Sequence, residues 1–509
     1  MHTVIFQDEI TLYWEKQWEL PDGVEYRATL DGQVVEKTIK THVSFCNLQA
    51  DTEYLIGVER VDSAGQVVEC LYQATLRTEK AKRRIDVTKS PYNAVGDGKT
   101  LNTAALQKAL DDCTENDCVY LPQGTFLTGA LDMHSDSELY LEHGAILKGS
   151  EKETDYLPKV KSRFEGTECI CYRSLINIGA IDREAGYTTQ NVAIRGEGII
   201  FGGGAPLCNS IVAAERSKHT QSLGENEERI LRRARGRLVG INNAENVIIS
   251  GLTLGFSPSW NVHFVYSRNV ITYNCKILSD KWTSEDGTLQ MDDVCNGDGW
   301  DPDSSEDCAI FNTYFYTRDD AIAVKSGKNP EGNYINRPTK NIHIFDCFGC
   351  PRGIAIGSEV SGGISDIKIW DCNFFEEKMG FTIKTTRKRG GYIKDIMVRN
   401  CRFADVLIRA DYTSNDDGVG ADEITKVENL YFENIKIKGA YPFLDKRDKY
   451  YYTLYVYGLD GEENYFNNIR FKNLELYGRA DGDIQTVKIK NVKNLSLENV
   501  CYVDNTENS

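Results

Sequence analysis

From residue 191 onward one short pattern keeps returning: Asn or Asp, an apolar residue, a variable position, an apolar residue, then a turn and a second strand-like run. It starts at Asn191, Asn246, Asn269, Cys308, Asn341, Asp366, Asp395, Asn429, Asn468 and Asn494, mostly 23 to 39 residues apart. Repeats of that length belong to architectures in which each unit buries its apolar face only against its neighbours. No helical periodicity separates the copies, so the repeating element is strand and turn. The pattern predicts an all-β chain dominated by a right-handed parallel β-helix. A β-propeller fits less well, for want of four strands per unit. Side chains one coil apart would stack, and Cys275, Cys347, Cys372 and Cys401 are expected to form a ladder inside the coil.

The parts outside the repeat are legible too. Residues 103 to 113 place Ala105, Leu106, Ala109 and Leu110 on one helical face, a helix suited to capping the open end of a strand stack that would otherwise invite pairing. Residues 205 to 240 interrupt the pattern with a charged, partly helical insertion, expected as a wall of a cleft or a subunit contact. Residues 1 to 80 alternate as four or more short strands with turns at Asp31-Gly32 and Ala64-Gly65, a small β-sandwich. The order of Trp14, a turn, Tyr54 and an alternating strand resembles a fibronectin type III module. It carries no evident chemistry and reads as a spacer or docking domain. Residues 81 to 84 are expected as a linker, which leaves 85 to 509 for the β-helix.

Composition bounds the function. With 41% hydrophobic and 27% charged residues, and no apolar run of membrane length, the chain reads as globular and not bound to a membrane. A net charge of −17 argues against nucleic acid, whose phosphates call for clustered Lys and Arg. It leaves room for an acidic sugar if cations gather locally. Fifteen cysteines, several in one repeat frame, suggest buried thiols in a reducing compartment. The N-terminus lacks the basic and then apolar order of a secretory signal, and the expected location is cytoplasmic. The lone Cys347–Cys350 pair does not make a zinc site. No metal and no cofactor is expected, and the oligomeric state stays open.

Chemistry concentrates between residues 296 and 328. Asp298 precedes Asp319 by 21 residues and Asp320 by 22, about one coil, so the three carboxyls should sit on neighbouring rungs about 5 Å apart. Crowded like charges cannot all ionise, and at least one should keep its proton near neutral pH. One carboxyl to give a proton and one to activate water is the minimum for hydrolysing a glycosidic bond. Asp301, Asp303 and Ser305 read as turn-capping residues, and the same run fails as a calcium loop because Glu306 and Asn312 stand where Gly and Glu are required.

With Asn296-Gly297-Asp298 and Asp319-Asp320 in place, flanked by the stretches at 257–266 and 319–329, residues 85 to 505 resemble the pectin-degrading polygalacturonases of glycoside hydrolase family 28. The resemblance implies an inverting hydrolase on a parallel β-helix, with Asp319 as general acid, Asp298 and Asp320 positioning and deprotonating the water, and Asn296 beside them. Two positions depart from the family pattern. Pro351 stands where its histidine is expected, and Thr382 replaces the Arg of its Arg-x-Lys motif while Lys384 remains. In the family that pair grips a galacturonate carboxylate, so another cation must do so here, or the sugar differs. Arg352 from the neighbouring rung, or Arg387 and Arg389 from the next loop, are candidates. A side-branched or modified pectic substrate is the other answer.

His263, Lys325 and Tyr412 are further candidates for the substrate cleft, by strand parity or by position one coil on. Trp260, Trp282 and Trp300 are possible stacking platforms, with a core role equally open for Trp260. The expected function is hydrolysis of α-galacturonide or related linkages in pectic oligosaccharides. Exo action is expected, since a signal-less protein suits trimming imported fragments. A catalytically altered carbohydrate-binding β-helix protein and a pectic lyase are the alternatives, although a lyase would need a strong base and usually a calcium cage.

Overall fold

The computed structural model describes residues 1–16, 23–221, 223–279, 281–283, 289–291, 294–376, 379–439, 453–459, 461, 466–477 and 487–503. They form two compact units, Met1–Arg84 with Thr114–Cys118, and Ile85–Cys113 with Val119–Ser509. The segment expected as a linker is in part regular structure, because Arg83–Asp86 is a strand.

The first unit is an antiparallel sandwich. A three-stranded sheet (His2–Ile5, Glu9–Tyr13, His42–Cys46) faces a four-stranded one ordered Gln33–Thr38, Glu25–Leu30, Glu53–Val61, Val67–Arg77. Trp14 meets Tyr26 edge-on at 5.2 Å in its core. The Tyr54 hydroxyl accepts a hydrogen bond from the Gln49 amide at 2.9 Å.

The second unit is the parallel β-helix that the repeat predicts. Each repeat opens on a residue in the left-handed backbone region: Asn191, Asn246, Asn269, Asn341, Asp366, Asp395, Asn429, Asn468 and Asn494 all have φ between 52° and 58°. The unit read as starting at Cys308 starts one residue earlier, at Asp307 (φ 58°). Asn and Asp tolerate this conformation better than other residues with a Cβ, which is why the pattern demands them. Their side chains also bridge coils: Asn246 Nδ2 donates to Asn191 at 3.0 Å, Asn269 to Asn246 at 2.8 Å, Asn429 to Asp395 at 2.9 Å and Asn468 to Asn429 at 2.8 Å.

Between these turns the apolar residues point inward. Ile342, Ile344, Ile367 and Phe432 have no exposed surface, and burial of each such side chain stabilises by about 1.5–3 kcal/mol. Tyr273, Phe311, Phe345 and Trp370 stack from coil to coil at 5.1, 4.8 and 4.3 Å. Cys275, Cys347, Cys372 and Cys401 are buried, and strand register sets Cys275 beside Thr313, Thr313 beside Cys347, and Cys347, Cys372 and Cys401 in succession. The helix Thr103–Asp111 buries Leu106, Ala109 and Leu110, while Ala105 is half-buried at the edge of the core.

One wall of the coil positions the site. It is a parallel sheet of eleven strands, in which Val262–Val265, Trp300–Asp303, Ile322–Val324, Ile354–Gly357, Phe381–Lys384 and Val406–Arg409 are consecutive neighbours.

Candidate active site

Backbone register brings the acids together. The Gly299 amide bonds the Asp320 carbonyl at 3.1 Å and Trp300 pairs with Ile322, so Asp298 and Asp320 hold the same place on adjacent coils, with Asp319 next in the chain. The Ala321 amide bonds the Gly353 carbonyl at 2.9 Å, which puts Arg352 at that place one coil further. These residues enter the strands at one edge of a cleft of about 360 Å³, lined by Asn296, Asp298, Asp319, Asp320, Lys325, Lys384 and Tyr412 among others.

The three carboxyls live in different surroundings. Asp298 is only 4% exposed; Lys325 Nζ donates to its Oδ2 at 3.1 Å, while its Oδ1 has no hydrogen-bond partner among the described residues. Burial pushes its carboxyl up to about 7, with Asp319 and Asp320 adding to the rise against the pull of Lys325. Burial works against charge on Asp320 as well, yet Lys384, donating to its Oδ2 at 2.6 Å, and Arg352 hold it below the ordinary carboxylate range. Asp319 is half-buried, and its Oδ1 pairs with Arg352 Nη1. Burial and its neighbours therefore bring Asp298 to titrate near neutral pH, while Asp320 is held ionised.

A second acid layer lies under the first. Asp301 is fully buried 3.3 Å from Lys325, so one ammonium serves both Asp298 and Asp301. Burial raises the Asp301 carboxyl well above its usual range. Asp303 is also buried; burial opposes its charge, but Arg163 at 2.8 Å holds it at about 2. Asp301 and Asp303 are thus strand residues of a buried charge network and not the turn caps that their Pro- and Ser-rich context suggests.

The cleft accepts some of the expected ligands and refuses others. Asn296, Lys325, Lys384 and Tyr412 line it. Asn296 Oδ1 accepts from Arg235 at 2.8 Å, and Lys384 lies 5.5 Å from the centre of the Tyr412 ring. Arg352 reaches the acids, but its guanidinium is engaged by Asp319. His263 does not face the cleft. The hairpin Val160–Phe164/Thr167–Cys171 covers that part of the sheet, and His263 is buried with Nδ1 3.4 Å from Arg237 and Nε2 3.6 Å from Asp303. Burial lowers its imidazole to about 3, so it is neutral.

Arg389 is fully buried and bonds the Ser358 and Asn415 carbonyls and Asn329 Oδ1, at 2.6–2.8 Å. Arg387 is exposed on the same turn and is not among the cleft-lining residues. Neither is placed to hold a sugar: the turn that directs Arg389 inward directs Arg387 to solvent. Trp300 points into the core and donates to Thr272 at 3.0 Å. Trp260, 2% exposed, reaches the cleft only at its rim, held between Phe164 at 4.7 Å and Lys325 at 4.8 Å. The Trp282 side chain lies outside the described residues.

The sequence pattern gave no sign of Glu165, Arg229, Arg232 and Glu359, which also line the cleft. Glu359 is buried, with Asn415 donating to it at 2.8 Å. Arg229 and Arg232 come from the insertion, whose helices are Gly204–Arg216 and Glu225–Leu231. Arg229 reaches Asp417 at 3.0 Å, in the loop after Val406–Arg409. The insertion therefore forms part of the wall of the cleft.

The family model described as Glycosyl hydrolases family 28 matches residues 161–449. The chain belongs to that family. A second model, Rhamnogalacturonase A/epimerase, pectate lyase-like, matches residues 87–140. A probable polygalacturonase from Vitis vinifera is 33% identical over 60% of this chain and 58% of its own length. An exo-poly-alpha-D-galacturonosidase from Dickeya chrysanthemi is 25% identical over 89% of this chain and 77% of its own. The chain thus spans less than two thirds of the grape relative. Among solved structures, a family 28 exopolygalacturonase from Yersinia enterocolitica superposes with TM-score 0.76 at 20% identity, covering 100% of this chain and 99% of that one. At that identity the likeness is one of fold. Within this member of family 28, Thr382 is a buried strand residue paired with Ala355 and Leu407, so no guanidinium stands beside Lys384 on that strand.

Proposed function

We propose that the protein is an inverting, exo-acting hydrolase of α-galacturonide linkages in pectic oligosaccharides, including modified or side-branched ones. The observation that carries this reading is the acid cluster itself: three carboxyls on two adjacent coils at a cleft, one titrating near neutral pH and one held ionised. Asp319 is the general acid, and Asp298 and Asp320 hold the attacking water. Because the acids form one coupled cluster, its proton belongs to the set.

Exo action is supported by the cleft's size, small among ligand pockets of ~300–1,000 Å³, and by the Arg229–Asp417 contact along its side. Relatives named as exo-acting point the same way. Fifteen free cysteines support a reducing, cytoplasmic location. The three-plus-four strand sandwich and the Tyr54–Gln49 bond support a fibronectin type III-like module serving as spacer.

Product analysis on galacturonide oligomers tests the reading. Hydrolysis should give saturated products with inverted anomeric configuration, released from one end, with activity falling as pH rises through about 7. Unsaturated, ultraviolet-absorbing products would make it a lyase. Asp319→Asn should lower kcat about 10²–10⁴-fold with the fold intact, and a fully active variant would remove Asp319 from the acid's role.

A further inference from the structure

An acidic sugar entering this cleft meets Asp298, Asp319, Asp320, Glu165 and Glu359. The cations beside them are mostly engaged. Lys325 is held by Asp298 and Asp301, Lys384 by Asp320, Arg352 by Asp319 and Arg229 by Asp417. Arg232 differs. It lines the cleft, is exposed, and forms no ion pair among the described residues. Glu228, an acid within reach of its field, is bonded by Arg216 at 2.9 Å.

Arg232 is also held in place. The neighbouring Arg235 is fully buried, and its Nε donates to the Arg232 carbonyl at 2.7 Å. The same guanidinium bonds the carbonyls of Pro258 at 2.9 Å and Cys295 at 2.8 Å, and Asn296 Oδ1 at 2.8 Å. This clamp fastens the end of the insertion to the chain entering the acid cluster, and Arg232 Nη1 comes within 3.6 Å of Cys295 Sγ at the cleft rim. A guanidinium held at the rim, with no carboxylate on it among the described residues, is prepared for one that arrives with a ligand.

We propose that Arg232 is the specificity-determining residue that binds the carboxylate of the uronate lying on the Cys295–Asn296 side of the scissile bond. It takes over, from a different element, the carboxylate recognition for which Thr382 offers no guanidinium. The inference rests on the proposed function. Because the insertion supplies this cation, part of the acid-sugar recognition resides outside the repeat.

The test compares wild type, Arg232→Gln and Arg232→Lys in steady-state hydrolysis of trigalacturonate, with methyl-esterified trigalacturonate measured as a competitive inhibitor. Arg232→Gln should raise KM for the acid roughly ten- to hundredfold with little change in kcat, leave the inhibition constant of the ester unchanged, and be partly rescued by Lys. An unchanged KM, or equal weakening for acid and ester, would overturn the assignment to Arg232. Wild type that hydrolyses no galacturonide at all would instead overturn the proposed function, and the two failures are separable.

Discussion

Asp298→Asn offers a direct measure of what the acid cluster costs the fold. The folded protein keeps Asp298 protonated up to about pH 7, whereas its ordinary value is 3.8. Between those limits the folded chain binds a proton that the unfolded chain has released, so stability falls as pH rises through the window and is lowest above it. The range from 3.8 to about 7, at about 1.4 kcal/mol per pH unit, amounts to about 4 kcal/mol. Asparagine retains an oxygen for the Lys325 hydrogen bond and cannot titrate. The variant should match wild type near pH 4 and exceed it by up to about 4 kcal/mol at pH 8, a rise in Tm of roughly 5 °C for a unit this large, while turnover is lost. Scanning calorimetry at both pH values gives the answer. A gap that is the same at pH 4 and pH 8, or a variant less stable at pH 8, would refute a proton held by Asp298.

Two further substitutions probe the supports of the site. Lys384→Met leaves the Asp320 carboxylate buried without its 2.6 Å partner and should cost about 3–5 kcal/mol at neutral pH. That deficit should shrink as pH falls toward 4, because Asp320 then takes up a proton; denaturant titrations at the two pH values compare them. Gly357→Ala should prevent assembly of the cleft, since Gly357 has φ +96° and an added Cβ would lie 2.1 Å from the Lys384 carbonyl; soluble yield and Tm report it.

How much of this is legible in the sequence depends on which interactions are local. The coil is legible because its turns require Asn or Asp in one backbone conformation, and that requirement recurs at Asn341, Asp366 and Asp395 without help from distant residues. The alignment of Asp298 with Asp320 is legible for the same reason, a coil being a fixed length of chain there. Family membership followed from those residues. His263 marks where legibility ends: its outward parity is right, but a hairpin some hundred residues earlier covers that face, with Arg163 reaching Asp303 and Tyr266. Asp301 and Asp303 carry the composition of a turn, and only the register of Val262–Val265 against Trp300–Asp303 reveals a strand. Arg389 and Arg387 stand two apart in a turn whose direction no periodicity encodes. Arg232 and Glu359 belong to segments without a repeat, so only three-dimensional structure places them at the cleft.

The acids and the residues that surround them are attached to the molecule in different ways. The offset between Asp298 and Asp320 is one hydrogen-bonded strand step, a repeat distance of the backbone of about 4.8 Å that side-chain changes elsewhere cannot alter. The walls come from loops and an insertion that leave the coil and return to it, and their length is free. Substrate preference in such a scaffold can drift by lengthening, shortening or recharging those excursions while the acid geometry stays constant, much as a fixed tool accepts interchangeable guides.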